Sequence, residues 1–119
     1  MSMDYLDLLG IQRYQLRASS TAEPHLQETL LHLKKSVEAC IACPLHQSRT
    51  HTVFGVGSLT PELMIIGEAP GFYEDQQGEP FVGRAGSLLN NMLTACGLTR
   101  ESVYIANMIK CRPPNNRDP

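Results

Sequence analysis

The sequence predicts an α/β fold in which a parallel sheet lies between layers of helices. The apolar residues 63–66 end at Gly67 and have the length and composition of a buried strand. A helical pattern over 85–96 and a second apolar strand over 103–109 follow. Strand, helix and strand in this order form a βαβ unit with parallel strands and a right-handed crossover. Because two parallel strands cannot cover both faces of a sheet, we expect an incomplete three-layer αβα arrangement.

The first residues predict an extension that is separate from this unit. Residues 3–17 indicate one or two helical turns, and 18–24 are small and polar, as in a linker. We therefore divide the chain into an N-terminal helical extension and linker at 1–25 and the first portion of an α/β domain at 26–119.

A longer helix precedes the first strand. Its apolar side chains recur every three or four positions and predict an amphipathic helix that runs into Cys40: Leu26, Leu30, Leu33 and Val37. Pro44 ends regular structure, and 44–61 has the composition of a loop. The segment 68–83 predicts a second, acidic loop, and 111–119 is irregular with three prolines.

The helix of the βαβ unit has a clear apolar face, and Gly97 is expected to cap its carboxyl end. Cys96 falls on this face, so we expect a buried core thiol there. Four larger side chains are predicted to form the rest of the face: Leu88, Leu89, Met92 and Leu93.

Composition excludes several classes of protein. The 119 residues allow one small domain, and the net charge of -2 excludes a globally basic nucleic-acid binder, although it allows a local basic patch. No apolar run reaches the roughly eighteen residues that a membrane span needs. The first residues lack the basic start of a signal peptide. We therefore expect a cytoplasmic protein without membrane contact.

Three cysteines have a spacing that is typical of metal ligands. Cys40 and Cys43 are separated by two residues at the end of a predicted helix, and Cys111 follows the second strand. The close pair can place two sulfurs on one centre while the fold adds the third, as in zinc or iron–sulfur sites. Two alternatives stay open: a pair of buried free thiols and a redox Cys-x-x-Cys beside a βαβ unit.

The segment 67–71 directly follows the first strand, where open α/β sheets bind their ligands. It lacks the glycine spacing and the Lys-Ser/Thr ending of a phosphate loop, and the glycines at 55 and 57 are not followed by a helix as a dinucleotide-binding loop requires. The remaining polar and aromatic residues form either a site or a solvated loop surface: Glu74, Asp75, Phe81, Arg84, Asn107, Lys110, Arg112, Asn115, Asn116 and Arg117.

Six short blocks follow one another between residues 40 and 119. They are Cys40-x-x-Cys43-Pro44-Leu45, Val53-Phe54-Gly55-x-Gly57, Gly67-Glu68-Ala69-Pro70-Gly71, Glu74-Asp75 with Gly78-x-Pro80-Phe81-Val82-Gly83-Arg84-Ala85-Gly86, Val103-Tyr104-Ile105-x-Asn107, and Lys110-Cys111-Arg112-Pro113-Pro114-Asn115-Asn116-Arg117. In this order the blocks closely resemble the family 4 uracil-DNA glycosylases, the iron–sulfur branch of that superfamily. The resemblance implies the α/β fold of these enzymes.

The resemblance implies that uracil is turned out of DNA into a pocket and that its N-glycosidic bond is hydrolysed, as in base excision repair. It implies that backbone groups of Glu68, Ala69 and Pro70 line the pocket. Phe81 is expected to stack on the flat base. Asn107 is expected to read the base, because an amide held in one orientation matches uracil and leaves polar groups of cytosine unmatched.

Two carboxylates are candidates for catalysis. The hydrolysis passes through a cationic sugar, which a nearby carboxylate can stabilise or supply with a positioned water. Related glycosylase families have an aspartate where this chain has Ala69, so we expect Asp75 to take this role first and Glu68 second. The alternative for Asp75 is a carboxylate that caps a loop.

The resemblance also implies a [4Fe–4S] cluster. Such a cluster normally takes four thiolates, of which Cys40, Cys43 and Cys111 supply three. The family's fourth cluster cysteine and a later histidine motif are absent from these 119 residues. The resemblance further implies uracil-containing DNA as the partner, with a local basic edge on its phosphates: Lys110, Arg112 and Arg117.

We therefore expect the first portion of a uracil-DNA glycosylase, with little activity on its own. One alternative is a non-catalytic nucleic-acid-binding module with an iron–sulfur or metal site, such as the phage polymerase-associated proteins with similar motifs. Another is a cysteine-based metal or redox protein without DNA contact. The histidine motif is the feature that discriminates the enzyme from the binding module, because an enzyme needs it and a binding module does not.

Overall fold

A computed structural model describes residues 23–117 of the chain. The expected helical turns at 3–17 lie outside these residues, as does most of the expected linker. Between residues 23 and 117 no helix is long and apolar enough to cross a membrane. The elements follow in this order: α1 (Glu23–Glu38), a 3-10 turn (Pro44–Gln47), β1 (Val56–Gly57), β2 (Met64–Gly67), α2 (Phe72–Gln77), α3 (Arg84–Ala95), β3 (Tyr104–Asn107) and a second 3-10 turn (Pro114–Asn116).

Helix α1 is the predicted amphipathic helix. It begins at Glu23, inside the segment expected to be a linker, and therefore runs across the proposed boundary between residues 25 and 26. The division into two parts stays a prediction. A final turn closes at Cys40, whose N–H donates to the Val37 carbonyl at 3.1 Å. Pro44 lies six residues after the end of this helix and begins a 3-10 turn, so the expectation that Pro44 ends regular structure is wrong.

The sheet has three strands in the order β1-β3-β2. Strands β2 and β3 are parallel, with Met64 opposite Tyr104 and Gly67 opposite Asn107. Helices α2 and α3 lie between them in sequence, and α3 confirms the predicted βαβ unit. Helix α2 falls inside the segment 68–83, so the expectation of a loop there is wrong at Phe72–Gln77.

Strand β1 was not predicted. It pairs antiparallel with β3, with Val56 opposite Ile105. The expectation of a loop throughout 44–61 is therefore wrong at Val56–Gly57 and at the 3-10 turn Pro44–Gln47. The sheet is therefore mixed, with an antiparallel edge on a parallel pair. Gly57 permits the pairing, because its φ is 129° and a Cβ there would overlap the carbonyl oxygen of Val103. Two residues give too short a pattern to predict a strand.

The hydrophobic core lies between α3 and the sheet. Leu93 of α3 packs with Val103 and Ile105, and several half-buried side chains pack against them: Ile65, Phe81, Leu89 and Leu98. Only part of the predicted apolar face of α3 is buried, because Leu88 and Met92 are exposed.

Cys96 is exposed, so the expectation of a core thiol is wrong. Helix α3 ends at Ala95, and Cys96 is its C-cap, where the backbone leaves the helical path. Gly97, with a φ of 72°, then turns the chain in the left-handed conformation predicted for a helix end. Periodicity extrapolated past Ala95 therefore placed the thiol on a face that the helix no longer has.

Strand β2 has one covered face and one open face. Ile65 is half-buried, whereas Met64 and Ile66 on the opposite face are exposed. Within residues 23–117 no strand pairs with the outer edge of β2. This arrangement confirms the prediction of an incomplete α/β fold, since parallel strands are normally covered on both faces.

Candidate active site

The carboxyl ends of β2 and β3 lie side by side. Gly67 ends β2, Asn107 ends β3, and the two residues are opposite in the ladder. The pairing continues beyond the strands, because the N–H of Met108 donates to the Gly67 carbonyl and that of Ile109 to the Glu68 carbonyl, both at 2.9 Å. The loop that begins at residue 68 is therefore held by the sheet at the edge where α/β folds bind ligands.

Gly67 separates the two side chains that are expected to hold the base. A Cβ on Gly67 would overlap Oδ1 of Asn107 and lie 2.7 Å from Cζ of Phe81. Asn107 is 3% exposed, and Phe81 is half-buried. Phe81 is 26 residues before Asn107, so the fold itself brings the stacking and base-reading candidates together.

Arg100 holds the backbone under the Phe81 ring. Its Nη2 donates to the Pro80 carbonyl at 2.7 Å, and its Nη1 donates to the Phe81 carbonyl at 3.1 Å. The same Nη1 lies 3.2 Å from Oδ1 of Asn90. Phe81 needs this support, because its φ of 54° is unusual for a residue with a side chain. No local sequence pattern marks Arg100, because its partners are 10 to 20 residues away along the chain.

Glu74 holds the same loop from its other end. Its Oε1 accepts hydrogen bonds from the N–H groups of Val82 and Gly83, both at 3.0 Å. Gly83 is the N-cap of α3, so the carboxylate also satisfies a free donor at the start of that helix. In the sequence Glu74 is only one member of a polar cluster. In the fold it positions the backbone that follows Phe81.

A cavity of about 160 Å³ lies beside the segment 68–71. Its lining includes all three residues whose backbone was expected at the pocket, together with Arg117 from the last described loop: Glu68, Ala69, Pro70, Gly71, Pro113, Asn116 and Arg117. Phe81 and Asn107 are not among the lining residues. The predicted substrate-binding residues therefore form two adjoining groups that meet where residue 67 joins residue 68.

Asp75 lies away from this cavity. It is 1% exposed, and its carboxylate accepts hydrogen bonds from the N–H of Thr50 at 2.8 and 3.1 Å and from that of His51 at 3.2 Å. The ring Nδ1 of His51 donates to the Asp75 carbonyl at 2.8 Å. These contacts match the alternative of a loop-capping carboxylate. Of the two predicted catalytic carboxylates, only Glu68 lies at the cavity.

Lys110 does not point its charge outward as a phosphate contact would. Its Nζ donates to the carbonyls of Asn107 at 2.6 Å and of Phe54 at 2.9 Å, and it lies 5.7 Å from the centre of the Phe54 ring. Burial lowers the pKa of the Lys110 ammonium below its ordinary value. Lys110 thus holds the backbone at Asn107 and Phe54. Of the three residues predicted to contact phosphates, Arg112 and Arg117 remain as candidates.

The two arginines lie at the rim of the cavity. Arg112 donates from Nε to Oδ1 of Asn116 at 2.7 Å, and its guanidinium carbon lies 5.1 Å from the centre of the Phe72 ring. Arg117 is exposed and lines the cavity itself. Both guanidinium groups therefore lie close to the loop that follows β2.

The cysteines expected to bind a metal do not form a ligand group here. Cys40 and Cys43 are exposed and Cys111 is buried. Across residues 23–117 no three Cys, His, Asp or Glu side chains are close enough to hold one metal ion. Arg49, which the sequence analysis missed, donates from Nη1 to Cys111 Sγ at 3.0 Å and from Nη2 to the Glu38 carbonyl at 2.9 Å. Cys40, Cys43 and Cys111 supply three of the four thiolates that a [4Fe–4S] cluster takes.

Similar proteins agree on one family. A family model described as the uracil DNA glycosylase superfamily matches residues 54–119. A type-4 uracil-DNA glycosylase of Archaeoglobus fulgidus is 53% identical over 92 residues, which are 77% of this chain and 46% of that protein. A type-4 uracil-DNA glycosylase of Thermotoga maritima is 50% identical over 93 residues, or 78% of this chain and 48% of its own length. The chain spans about half the length of the curated relatives it matches.

Proposed function

Because the chain belongs to the uracil-DNA glycosylase superfamily, in its type-4 branch, we propose that it excises uracil from DNA by hydrolysing the N-glycosidic bond. One observation carries the proposal: the Phe81 ring and the Asn107 amide meet at Gly67, at the carboxyl edge of the sheet. This edge lies beside an open cavity lined by the segment 68–71. A flat heterocycle that enters here meets an aromatic ring and a buried amide together.

Base selection follows from the chemistry of these two groups. Any base can stack on an aromatic ring, so Phe81 contributes affinity without discriminating between bases. The Asn107 amide has one acceptor oxygen and one donor nitrogen, which complement the N3–H and O4 of uracil. Because cytosine reverses this pattern, the wrong base leaves buried polar groups unpaired, and such a mismatch discriminates strongly.

We assign the electrostatic role in hydrolysis to Glu68. The sugar gains positive charge as the bond to the base breaks, and a carboxylate close to it stabilises that charge. Glu68 lines the cavity, whereas the Asp75 carboxylate is bound to the backbone N–H groups of the 50–51 loop. The earlier preference for Asp75 stays a prediction, which the placement of these two side chains does not support.

The proposal is tested with single-stranded oligonucleotides that carry one uracil or one cytosine. Excision is followed by alkaline cleavage of the abasic product, under single-turnover conditions. We expect slow excision from the uracil strand and none from the cytosine strand, and we expect Asn107→Ala to reduce the rate on the uracil strand about a hundredfold or more. Asn91→Ala is the matched control, because Asn91 is an exposed asparagine on α3.

Two outcomes contradict the proposal. Equal rates for Asn107→Ala and the unmodified chain remove the base-reading role. Binding of the uracil strand without any excision favours the alternative of a non-catalytic nucleic-acid-binding module.

The iron–sulfur cluster is a separate part of the proposal. The contact of Arg49 with both Cys111 and the end of α1 supports a shared location for Cys111 and the Cys40–Cys43 pair. We expect iron and acid-labile sulfide in protein purified without oxygen, and their loss in Cys40→Ser and Cys111→Ser. Cys96→Ser is the control, since Cys96 is exposed at the end of α3. Equal iron content in all four proteins rejects this ligand set.

A further inference from the structure

Two consecutive aromatic side chains at the start of α2 take no part in the core. Phe72 is 47% exposed and Tyr73 is 58% exposed. Their rings are in edge-to-face contact, with centres 5.5 Å apart and planes at 81°. The chain has only three phenylalanines and four tyrosines, so it presents a large share of its aromatic area at one place on its surface.

The pair lies between the two loops of the candidate site. Phe72 directly follows Gly71, which lines the cavity. Tyr73 lies against the end of the Phe81 loop, because a Cβ on Gly83 would be 3.3 Å from Cδ2 of Tyr73. A strand that places one nucleotide in the site therefore passes close to these rings.

A guanidinium group completes the surface. Arg112 lies over the Phe72 ring at 5.1 Å, a distance at which a cation is attracted to the ring. Its Nε is bound to Asn116, which lines the cavity, so the positive charge lies between the cavity and the ring. The nearest carboxylate along the chain, Glu74, is bound to two backbone N–H groups of the Phe81 loop, which partly neutralise its charge.

We propose that Phe72, Tyr73 and Arg112 form a stacking surface for the nucleotide next to the extruded uracil in single-stranded DNA. Exposed rings combined with a basic group are the chemistry that binds unpaired bases and the phosphates between them. The inference rests on the proposed function, since the site beside the surface defines which nucleotide is the neighbour. It adds a determinant of strand binding that lies outside the base pocket.

The test measures binding of a fluorescein-labelled single strand with one central uracil, by fluorescence anisotropy with the full chain. We expect Phe72→Ala and Tyr73→Ala each to weaken binding about tenfold. Phe72→Leu keeps the apolar bulk but loses the ring, so we expect it to weaken binding as much as Phe72→Ala. Phe72→Tyr keeps the ring, so we expect it to bind the strand like the unmodified chain. Leu31→Ala is the control, because Leu31 is 54% exposed on α1.

Several outcomes overturn the inference. Unchanged DNA binding by Phe72→Ala and Tyr73→Ala overturns it. An equal loss of DNA affinity in the control Leu31→Ala also overturns it. Restoration of binding by Phe72→Leu assigns the surface to apolar contact instead of stacking. Loss of self-association without loss of DNA binding assigns it to a second copy of the chain. Thermal unfolding of every variant separates these results from misfolding.

The result is independent of the excision test. Excision by the unmodified chain with unchanged DNA binding by Phe72→Ala contradicts this inference alone. DNA binding that depends on Phe72, without excision, contradicts the proposed function alone. A chain that binds no single strand and excises uracil neither from a single strand nor from a duplex contradicts both.

Discussion

At the scale of single residues, the site depends on one strained position. Phe81 has a φ of 54°, and a left-handed backbone costs a residue with a side chain about 1–2 kcal/mol. Arg100 offsets this by binding the Pro80 and Phe81 carbonyls, and Glu74 does so through the next two N–H groups. Charged side chains thus fix the backbone from which the Phe81 ring projects.

Replacing Arg100 with glutamine should release this loop. We expect Arg100→Gln to lower the free energy of unfolding by about 1–3 kcal/mol, because two partly buried carbonyls lose a charged donor. Urea unfolding measures the change. Arg84→Gln is the control, since Arg84 is exposed at the start of α3. Equal midpoints for the two variants contradict the role of Arg100.

The carboxylates at 68 and 75 should separate into two kinds of effect. We expect Asp75→Asn to lower the free energy of unfolding by about 1–3 kcal/mol, because an amide nitrogen then faces the N–H donors of the 50–51 loop. We expect Glu68→Gln to leave stability unchanged and to slow single-turnover excision. A larger loss of rate in folded Asp75→Asn than in Glu68→Gln restores the first catalytic prediction.

At the scale of elements, α3 is joined to the site through its first turn. Gly86 is buried in that turn, and a Cβ there would overlap the carbonyl oxygen of Phe81. The helix and the Phe81 loop therefore approach each other as closely as backbone atoms allow. This contact explains a glycine inside a helix, where alanine is normally favoured by about 1 kcal/mol.

Gly86→Ala should consequently destabilise the protein, against the ordinary preference of helices. We expect a lower melting temperature and weaker binding of the uracil strand, because the Phe81 carbonyl has to move. Ser87→Ala, one residue later and exposed, is expected to raise stability by a few tenths of a kcal/mol. An increase in the melting temperature of both variants contradicts this expectation, because it shows that the Phe81 loop moves aside without destabilising the protein.

At the scale of the whole molecule, one face of the sheet and one side of α3 are open within residues 23–117. Exposed apolar side chains lie on both elements, and the outer edge of β2 has no strand partner in this part of the chain. Unpaired edges with apolar side chains promote association between chains.

The isolated 119-residue chain should therefore self-associate. We expect sedimentation velocity to show species larger than 13.2 kDa at micromolar concentration. Replacing Met64 and Ile66 with lysine should shift the distribution toward the monomer, because charges on an edge strand oppose pairing. The control is Met108→Lys, which changes an exposed methionine after β3. A monomeric unmodified chain contradicts the expectation.

The predictions from sequence succeeded where the signal is local. Apolar runs and periodicity predicted β2, α3 and β3. The resemblance predicted that Phe81 and Asn107 share one pocket, and the two side chains lie together beside Gly67. Features that depend on distant partners were missed. Arg100 and Arg49 act on atoms 10 to 62 residues away, and β1 exists only because β3 provides its partner. From the sequence alone, Lys110 is an ordinary candidate for a phosphate contact. Its hydrogen bonds to the Phe54 and Asn107 carbonyls become visible only in the fold.

The ladder between β2 and β3 does more than join two strands. Neighbouring side chains on a strand point to opposite faces, so a slip of one residue would place Ala106 or Met108 opposite Gly67 instead of Asn107. The register of the β2–β3 pair thus sets the position of the Asn107 amide. An insertion of one residue in β3 would therefore move the Asn107 amide away from Gly67 and from the Phe81 ring.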